Sequence, residues 1–267
     1  MRAATARAVG RALLNAGLTL VIVLALWWAV VNLTGISPYV AKGPAEVWDF
    51  LVSSADAAAN RAELMPLLGQ SLADAALGFV VGMLTAVVLA IVFSLSRTVE
   101  AGVLPFALLL RSVPLVAIAP VIILITGRGT VASVAVIGSI VVLFPALASV
   151  LFGLNRASRE SLDLVHVYGG GRAMQLRTVV VPGALPSLFA AARVSVPGAV
   201  TGALLAEWLS TGTGIGGSIV KFTASARFDD LWASVALITI VTLLLYNLVR
   251  LAETVVLARM GMGSSVQ

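Results

Sequence analysis

Six long apolar stretches follow one another along the chain, and this repetition constrains the fold more than any single motif. They run over Leu13–Leu33, Leu72–Leu95, Val103–Thr126, Val131–Leu154, Leu185–Leu209 and Leu231–Val256. A helix needs roughly 20 apolar residues to cross the hydrocarbon core of a membrane. The composition agrees: 60% of residues are hydrophobic and 11% are charged, where soluble domains carry about 25% charged residues. A chain this poor in charge cannot cover a globule with polar surface. The reading is an all-α polytopic membrane protein with about six transmembrane helices, in one transmembrane domain over residues 1–267. The first stretch follows Arg2, Arg7 and Arg11 like a secretory signal, but it is longer than the 7–15 residues of a signal's apolar region, and no convincing cleavage site follows. A retained span is expected.

Several function classes are closed by composition. The chain has no cysteine and one histidine, His166, so disulfides, thiolate metal sites and multi-histidine centres are excluded. The net charge of +5 comes from arginines between apolar spans, which report orientation and not nucleic-acid binding. With the N-terminus inside, the cytoplasmic segments hold Arg2, Arg7, Arg11, Arg97, Arg156, Arg159, Arg172, Arg177, Arg250 and Arg259. The outer segments hold only Lys42, Arg61, Arg128, Lys221 and Arg227, and collect Glu46, Asp49, Asp56, Glu63, Asp229 and Asp230. Both termini are therefore expected in the cytoplasm. The outer segment Ser37–Gln70 reads as a short interfacial helix and a loop.

Two patterns mark the spans themselves. Gly78, Gly82, Ala86 and Ala90 recur every four residues in the second span. They form one small-residue face that lets another helix approach closely, within the subunit or from a second copy. Pro105, Pro114, Pro120, Pro145 and Pro197 interrupt the third to fifth spans, either as packing kinks or as broken helices around a pathway.

The polar stretch Leu154–Pro186 stands apart, with Arg156, Arg159, Glu160, Asp163, Arg172 and Arg177 between two apolar spans. Ser158–Tyr168 alternates Leu162, Val165 and Val167 with polar residues and predicts a short amphipathic helix. Gly169-Gly170-Gly171 forces a turn. A second short helix follows from Arg172 to about Thr178, and Pro186 is expected to open the fifth span. A helix–glycine–helix elbow anchored at both ends can pass a rigid-body push from a soluble partner into the spans.

This stretch resembles the EAA loop of permease subunits of binding-protein-dependent ABC importers. Asp163-Leu164-Val165-His166-Val167-Tyr168-Gly169 takes the frame E-A-A-x-x-x-G, and Pro182 takes the following proline position. Asp163 replaces Glu, while Leu164 and Val165 replace the two alanines with larger groups. Other segments resemble the sulfonate, taurine and nitrate type permeases in the same order. Arg111-Ser112-Val113-Pro114-Leu115-Val116-Ala117-Ile118-Ala119-Pro120 is similar to their R-x-x-P-x-x-A-x-x-P, and Gly127-Arg128-Gly129 to the glycines that close that span. Gly78-Phe79 with Gly82 matches the second span, although Asp74 stands where those relatives usually carry Arg. Ala206-Glu207-Trp208 with Gly214-Ile215-Gly216 resembles their A-E-x…G-L-G, and Arg193 the arginine that follows the loop's prolines. The similarity covers about residues 40 to 255.

The resemblance implies a type I ABC importer permease in a bacterial inner (plasma) membrane, a subunit without catalysis of its own. The loop 154–186 would couple to a cytoplasmic ABC ATPase dimer through Glu160, Asp163, Leu164, Val165, His166, Gly169, Arg172 and Pro182. The chain carries no G-x-x-x-x-G-K-[ST] motif, so ATP and Mg would be bound by the ATPase and not here; no cofactor or metal is expected in this chain. An extracytoplasmic solute-binding protein, a second permease copy and membrane lipid complete the expected partners. Pathway or gate candidates are Arg111, Pro114, Pro120, Arg193, Glu207 and Gly214. Arg111 and Arg193 lie within spans, where charge is costly; they either snorkel near the loop or contact an anion. Glu207 precedes a glycine-rich stretch that is a re-entrant gate or a turn. His166 is expected to touch a partner. The substrate class would be sulfonate, taurine, nitrate or a similar small anion, with thiamine-precursor pyrimidines carried by other relatives. An ion-coupled secondary transporter is the alternative, but it calls for internal repeats and midplane carboxylates. A membrane enzyme calls for clustered Asp, His or Glu at a span mouth.

Overall fold

The computed structural model describes residues 18, 20–96, 98–102, 105 and 113–260. Among these residues every regular element is helical. In chain order they are α1 (Leu20–Leu33), α2 (Pro44–Trp48), α3 (Ala57–Leu95), α4 (Leu115–Thr126), α5 (Val131–Leu154), α6 (Arg159–Val167), α7 (Arg172–Gln175), α8 (Val181–Ala206), α9 (Gly214–Ala224) and α10 (Phe228–Arg259). Four helical runs are long and apolar enough to cross a membrane: Ala57–Leu95, Val131–Leu154, Arg172–Thr211 and Phe228–Arg259. The shorter apolar helices α1 and α4 occupy parts of the first and third expected spans. Arg2, Arg7, Arg11, Arg97 and Arg111 lie outside the described residues.

Two boundaries differ from the sequence reading. The helix that carries the second span begins well before Leu72; α3 starts at Ala57 and absorbs the alanine-rich stretch read as a loop. Alanine has the highest helix propensity, and Pro66 is carried inside the helix. Likewise Pro186 opens no helix. A wide π-helical turn, Leu176–Val180, joins α7 directly to α8, so Arg172–Thr211 is one run of 40 residues. Pro182 sits at the second position of α8, just beyond this wide turn. There the hydrogen-bond pattern is already shifted, and a missing N–H is tolerated.

The chain forms two compact units. The first comprises residues 1–65 and 221–236. Its polar contacts centre on Arg227, whose guanidinium donates to both oxygens of Glu63 at 2.7 Å and to Asp230 at 2.6 and 2.9 Å. Hydrogen bonding to Glu63, then to Asp230, raises the Arg227 pKa above its ordinary value. Lys42 pairs with Asp229 at 3.0 Å. Trp27 stacks on Trp232 with ring centroids 5.9 Å apart, and their indole N–H groups donate to the carbonyls of Lys42 and Val40.

The second unit comprises residues 66–220 and 237–267. Its core is set by close backbone approach. A Cβ on Gly78 of α3 would lie 2.8 Å from the Gly138 Cα of α5, and one on Gly202 of α8 would lie 2.9 Å from the same atom. At Gly82 a Cβ would meet Val142 at 2.7 Å. Ala86 and Ala90 are fully buried against Val142, Ala146 and Val150. The small-residue face therefore packs within the subunit. Lower down, a Cβ on Gly153 would meet Ser187 at 2.5 Å, so α5 and α8 stay close over much of their length.

Gly138→Leu should destabilise the purified protein by about 3 kcal/mol, the upper end for overpacking, because its Cβ would meet the Gly78 backbone at 2.9 Å and backbone cannot give way. Gly183→Ala is the control. Nothing lies within 4 Å of a Cβ there, so it should be neutral or stabilising by up to about 1 kcal/mol. Thermal unfolding in detergent checks both.

Candidate functional site

The polar loop forms the expected elbow, with a defined cap. Ser158 starts α6, and its hydroxyl accepts the Ser161 N–H at 3.2 Å, a standard N-cap arrangement. At the other end the Gly169 N–H donates to the His166 carbonyl at 2.9 Å and the Gly170 N–H to the Val165 carbonyl at 2.8 Å. This is a Schellman motif, which closes a helix when the residue after the cap turns left-handed. Gly169 supplies that conformation at φ +81. Gly170 serves a different purpose: a Cβ there would strike the Val165 side chain at 2.5 Å. Sequence reading singled out Gly169 and missed this second requirement, although the triple glycine was its signal.

The two arms of the elbow are tied together. The Gln175 amide of α7 donates to the Leu162 carbonyl of α6 at 2.9 Å. Gln175 was not among the sequence candidates, since a lone amide in a short helix has no pattern to reveal it. Glu160, Asp163, Leu164 and His166 are exposed on α6, Val165 is half-buried toward the glycines, and Arg172 opens α7 exposed. Pro182 is half-buried, two residues beyond the wide π-turn. Leu164, Val167, Tyr168 and Met174 present apolar groups to the outside, with Val167 and Tyr168 80% and 82% exposed. Behind the elbow lies a cleft of about 510 Å³, lined by Ser94, Asn155, Leu162, Arg172, Gln175 and Val180 among others.

A second cluster forms around Glu207, which opens a π-helical turn after α8 and is fully buried. Its Oε2 accepts the Ser71 hydroxyl at 2.8 Å and the Gly216 N–H at 2.7 Å, while the Ile215 N–H donates to Ser71 at 2.8 Å. Glu207 and Ser71 thus satisfy donors at the start of α9. Gly212 and Gly214 turn left-handed at φ +66 and +64, and a Cβ on Gly214 would press directly on the Glu207 carboxylate. The glycine-rich stretch is a turn into a short helix, pinned by a buried carboxylate. Asp74 is also buried and accepts from Gln70 at 3.1 Å. Nearby, Ser210 joins the same turn to α5 and to the segment before it, through Ser133 at 2.8 Å and the Gly129 N–H at 3.0 Å.

The remaining candidates fall elsewhere. Pro114 is the exposed residue before α4, and Pro120 lies exposed within it. Arg193 of α8 pairs with Glu253 of α10 at 3.0 Å. Arg111 lies outside the described residues. The structure therefore brings the loop residues into one elbow and Glu207 with Gly214 into another cluster, while Arg193 stands with neither.

Residues 78–262 match the family of binding-protein-dependent transport system inner membrane components; the chain belongs to this family of ABC importer permeases. It is 29% identical over 241 residues to the riboflavin transport system permease of Chloroflexus aurantiacus, covering 88% of this chain and 86% of that protein. A probable ABC transporter permease of Haemophilus influenzae is 27% identical, covering 84% and 89%. The taurine transport system permease of Escherichia coli is 27% identical, covering 85% and 82%.

Glu207→Ala should cost about 3 kcal/mol, since it removes two hydrogen bonds to a buried carboxyl group and orphans buried donors. Gly214→Ala should cost about 2 kcal/mol from strain and overlap. Urea or thermal unfolding of the two variants beside wild type measures both.

Proposed function

We propose that this chain is the pathway-forming subunit of an ATP-driven importer and that the elbow, residues 154–186, is where a cytoplasmic ABC ATPase dimer pushes on it. One observation carries the reading. α6 is amphipathic and exposed, is fastened to α7 by Gln175, and α7 is the first part of a continuous helical run of 40 residues. A displacement of α6 is thereby delivered along a rigid rod to the level of Glu207, instead of being absorbed in a loop. Glu160, Asp163, Leu164, Val165, His166 and Arg172 are the docking residues, while Gly169 and Pro182 set the geometry. ATP and Mg bind to the ATPase, and this subunit contributes motion and a passage. Both termini face the cytoplasm, in accord with the arginine bias.

The solute is delivered by an extracytoplasmic binding protein. The passage is enclosed by two permease copies embedded in lipid, as a homodimer. Pro114, Pro120 and the Glu207–Gly214 turn stand nearest the gate. The cargo is a small polar or anionic solute of the sulfonate, taurine or nitrate kind. The similarity to the taurine permease supports this class, and the similarity to the riboflavin permease extends it toward larger heterocycles.

Gly169→Val places a β-branched residue at φ +81, a true outlier for such a side chain. ATPase co-purification and ATP-dependent uptake should both fall at least tenfold in proteoliposomes. Uptake that persists without ATP and follows an ion gradient would defeat the assignment. Replacing Leu164 and Tyr168 together by Ala should weaken ATPase co-purification while leaving the thermal stability of the isolated permease within about 0.5 kcal/mol, as for exposed positions.

A further inference from the structure

Arg193 and Glu253 are ionisable groups set in apolar helices. Arg193 follows Ala190–Ala192 and precedes Val194 in α8; Glu253 lies between Leu251 and Val255 in α10, one turn beyond Arg250. Charge in such a setting is rare and usually paired. Here Nη1 of Arg193 donates to Oε2 of Glu253 at 3.0 Å, with the two side chains 28% and 17% exposed. The guanidinium carbon also lies 6.0 Å from the centre of the Tyr246 ring. Tyr246 and Glu253 are seven residues apart and share one face of α10, so that face holds the guanidinium at two points.

This arrangement decides between the two sequence readings of Arg193. Recognition of an oxyanion by arginine uses two adjacent N–H groups. Nη1 is committed to Glu253, and Nε is buried without a hydrogen-bond partner. Glu253 thus engages the Nη1–Nη2 fork, and the Nε edge is turned into the protein. α8 is the continuation of the elbow, whereas α10 turns Leu244, Leu248 and Leu251 outward, each more than half exposed. For a helix with so much exposed apolar surface a directional polar tie adds to packing, because apolar contact alone is matched by lipid tails.

We infer that Arg193, Glu253 and Tyr246 form a clamp that makes α10 move with α8 as one body when the elbow is displaced. Glu253 is then a positioning residue for transport, and Arg193 is not a solute contact. This rests on the proposed ATPase coupling through the elbow. Association of the ATPase is therefore measured separately, by co-purification, so that failure of that reading is seen by itself.

The test uses the full transporter in proteoliposomes, with ATP hydrolysis and solute uptake followed in parallel. Glu253→Ala and Arg193→Ala should each lower solute transported per ATP at least tenfold, with the ATPase still bound and active. The half-saturating concentration of loaded binding protein should stay within twofold of wild type. The exchanged pair Arg193→Glu with Glu253→Arg should restore most of the coupling. If the single variants fail to assemble, this exchange carries the test: recovery of assembly and coupled transport supports the clamp, and failure to recover overturns it. The chain has no cysteine, so Arg193→Cys with Glu253→Cys offers a clean second measurement. A short thiol-reactive cross-linker between them should raise transport per ATP above the uncross-linked level, since it replaces the tie. A cross-link that blocks transport shows that the helices must slide past each other and overturns the proposal. So does an Arg193→Ala variant whose half-saturation or anion preference changes while Glu253→Ala leaves both untouched.

Discussion

Three helices meet at the backbone of Gly138, and the second unit is organised around that meeting. Gly78, Gly138 and Gly202 bring α3, α5 and α8 into contact at distances where no Cβ fits. Inside a membrane the apolar side chains of a helix gain little by leaving lipid for protein, so association depends on closeness of packing. Glycine at the crossing permits that closeness, and the fully buried Ala86, Ala90, Ala191 and Ala203 extend it along the helices. Larger residues at these positions would separate the backbones and weaken contacts over the whole length.

From this crossing two polar devices are held at opposite ends of α8. Toward its start, the Schellman turn at Gly169 and the Gln175 tie fasten a short amphipathic helix to a long rod. At its finish, Glu207 and Ser71 hold the beginning of α9. Each device satisfies backbone groups that would otherwise be orphaned, and each uses a glycine where a side chain is forbidden. The wide π-turn at Leu176–Val180 lets the rod pass Pro182 unbroken. Motion at one end and a pinned turn at the other are thus parts of a single element, which is the mechanical basis for coupling proposed here.

Charged groups inside the membrane runs divide by the company they keep. Glu207 is embraced by hydroxyl and amide donors, which make it a cap. Arg193 is embraced by a carboxylate and an aromatic ring, which make it a tie between helices. Sequence position alone ranked the two together as pathway candidates, because an isolated charge in an apolar run looks the same whatever surrounds it.

What the sequence determined by itself was the class of molecule and the location of its polar elbow. Apolar runs of spanning length and a helix–glycine–helix pattern between Leu154 and Pro186 are local signals, and each maps onto a local structure. Where a helix begins proved less legible. The alanine-rich stretch before Leu72 and the prolines at 182 and 186 suggest breaks, yet α3 and the Arg172–Thr211 run pass through them. Packing and a shifted hydrogen-bond pattern override a weak local preference. Only the tertiary structure decided partnership. That Gly78 faces Gly138, that Ser71 reaches Glu207 across 136 positions and Arg193 reaches Glu253 across 60 depends on which faces of distant helices meet. No local pattern encodes that choice, because it is made by the shape left when small residues allow backbones to touch.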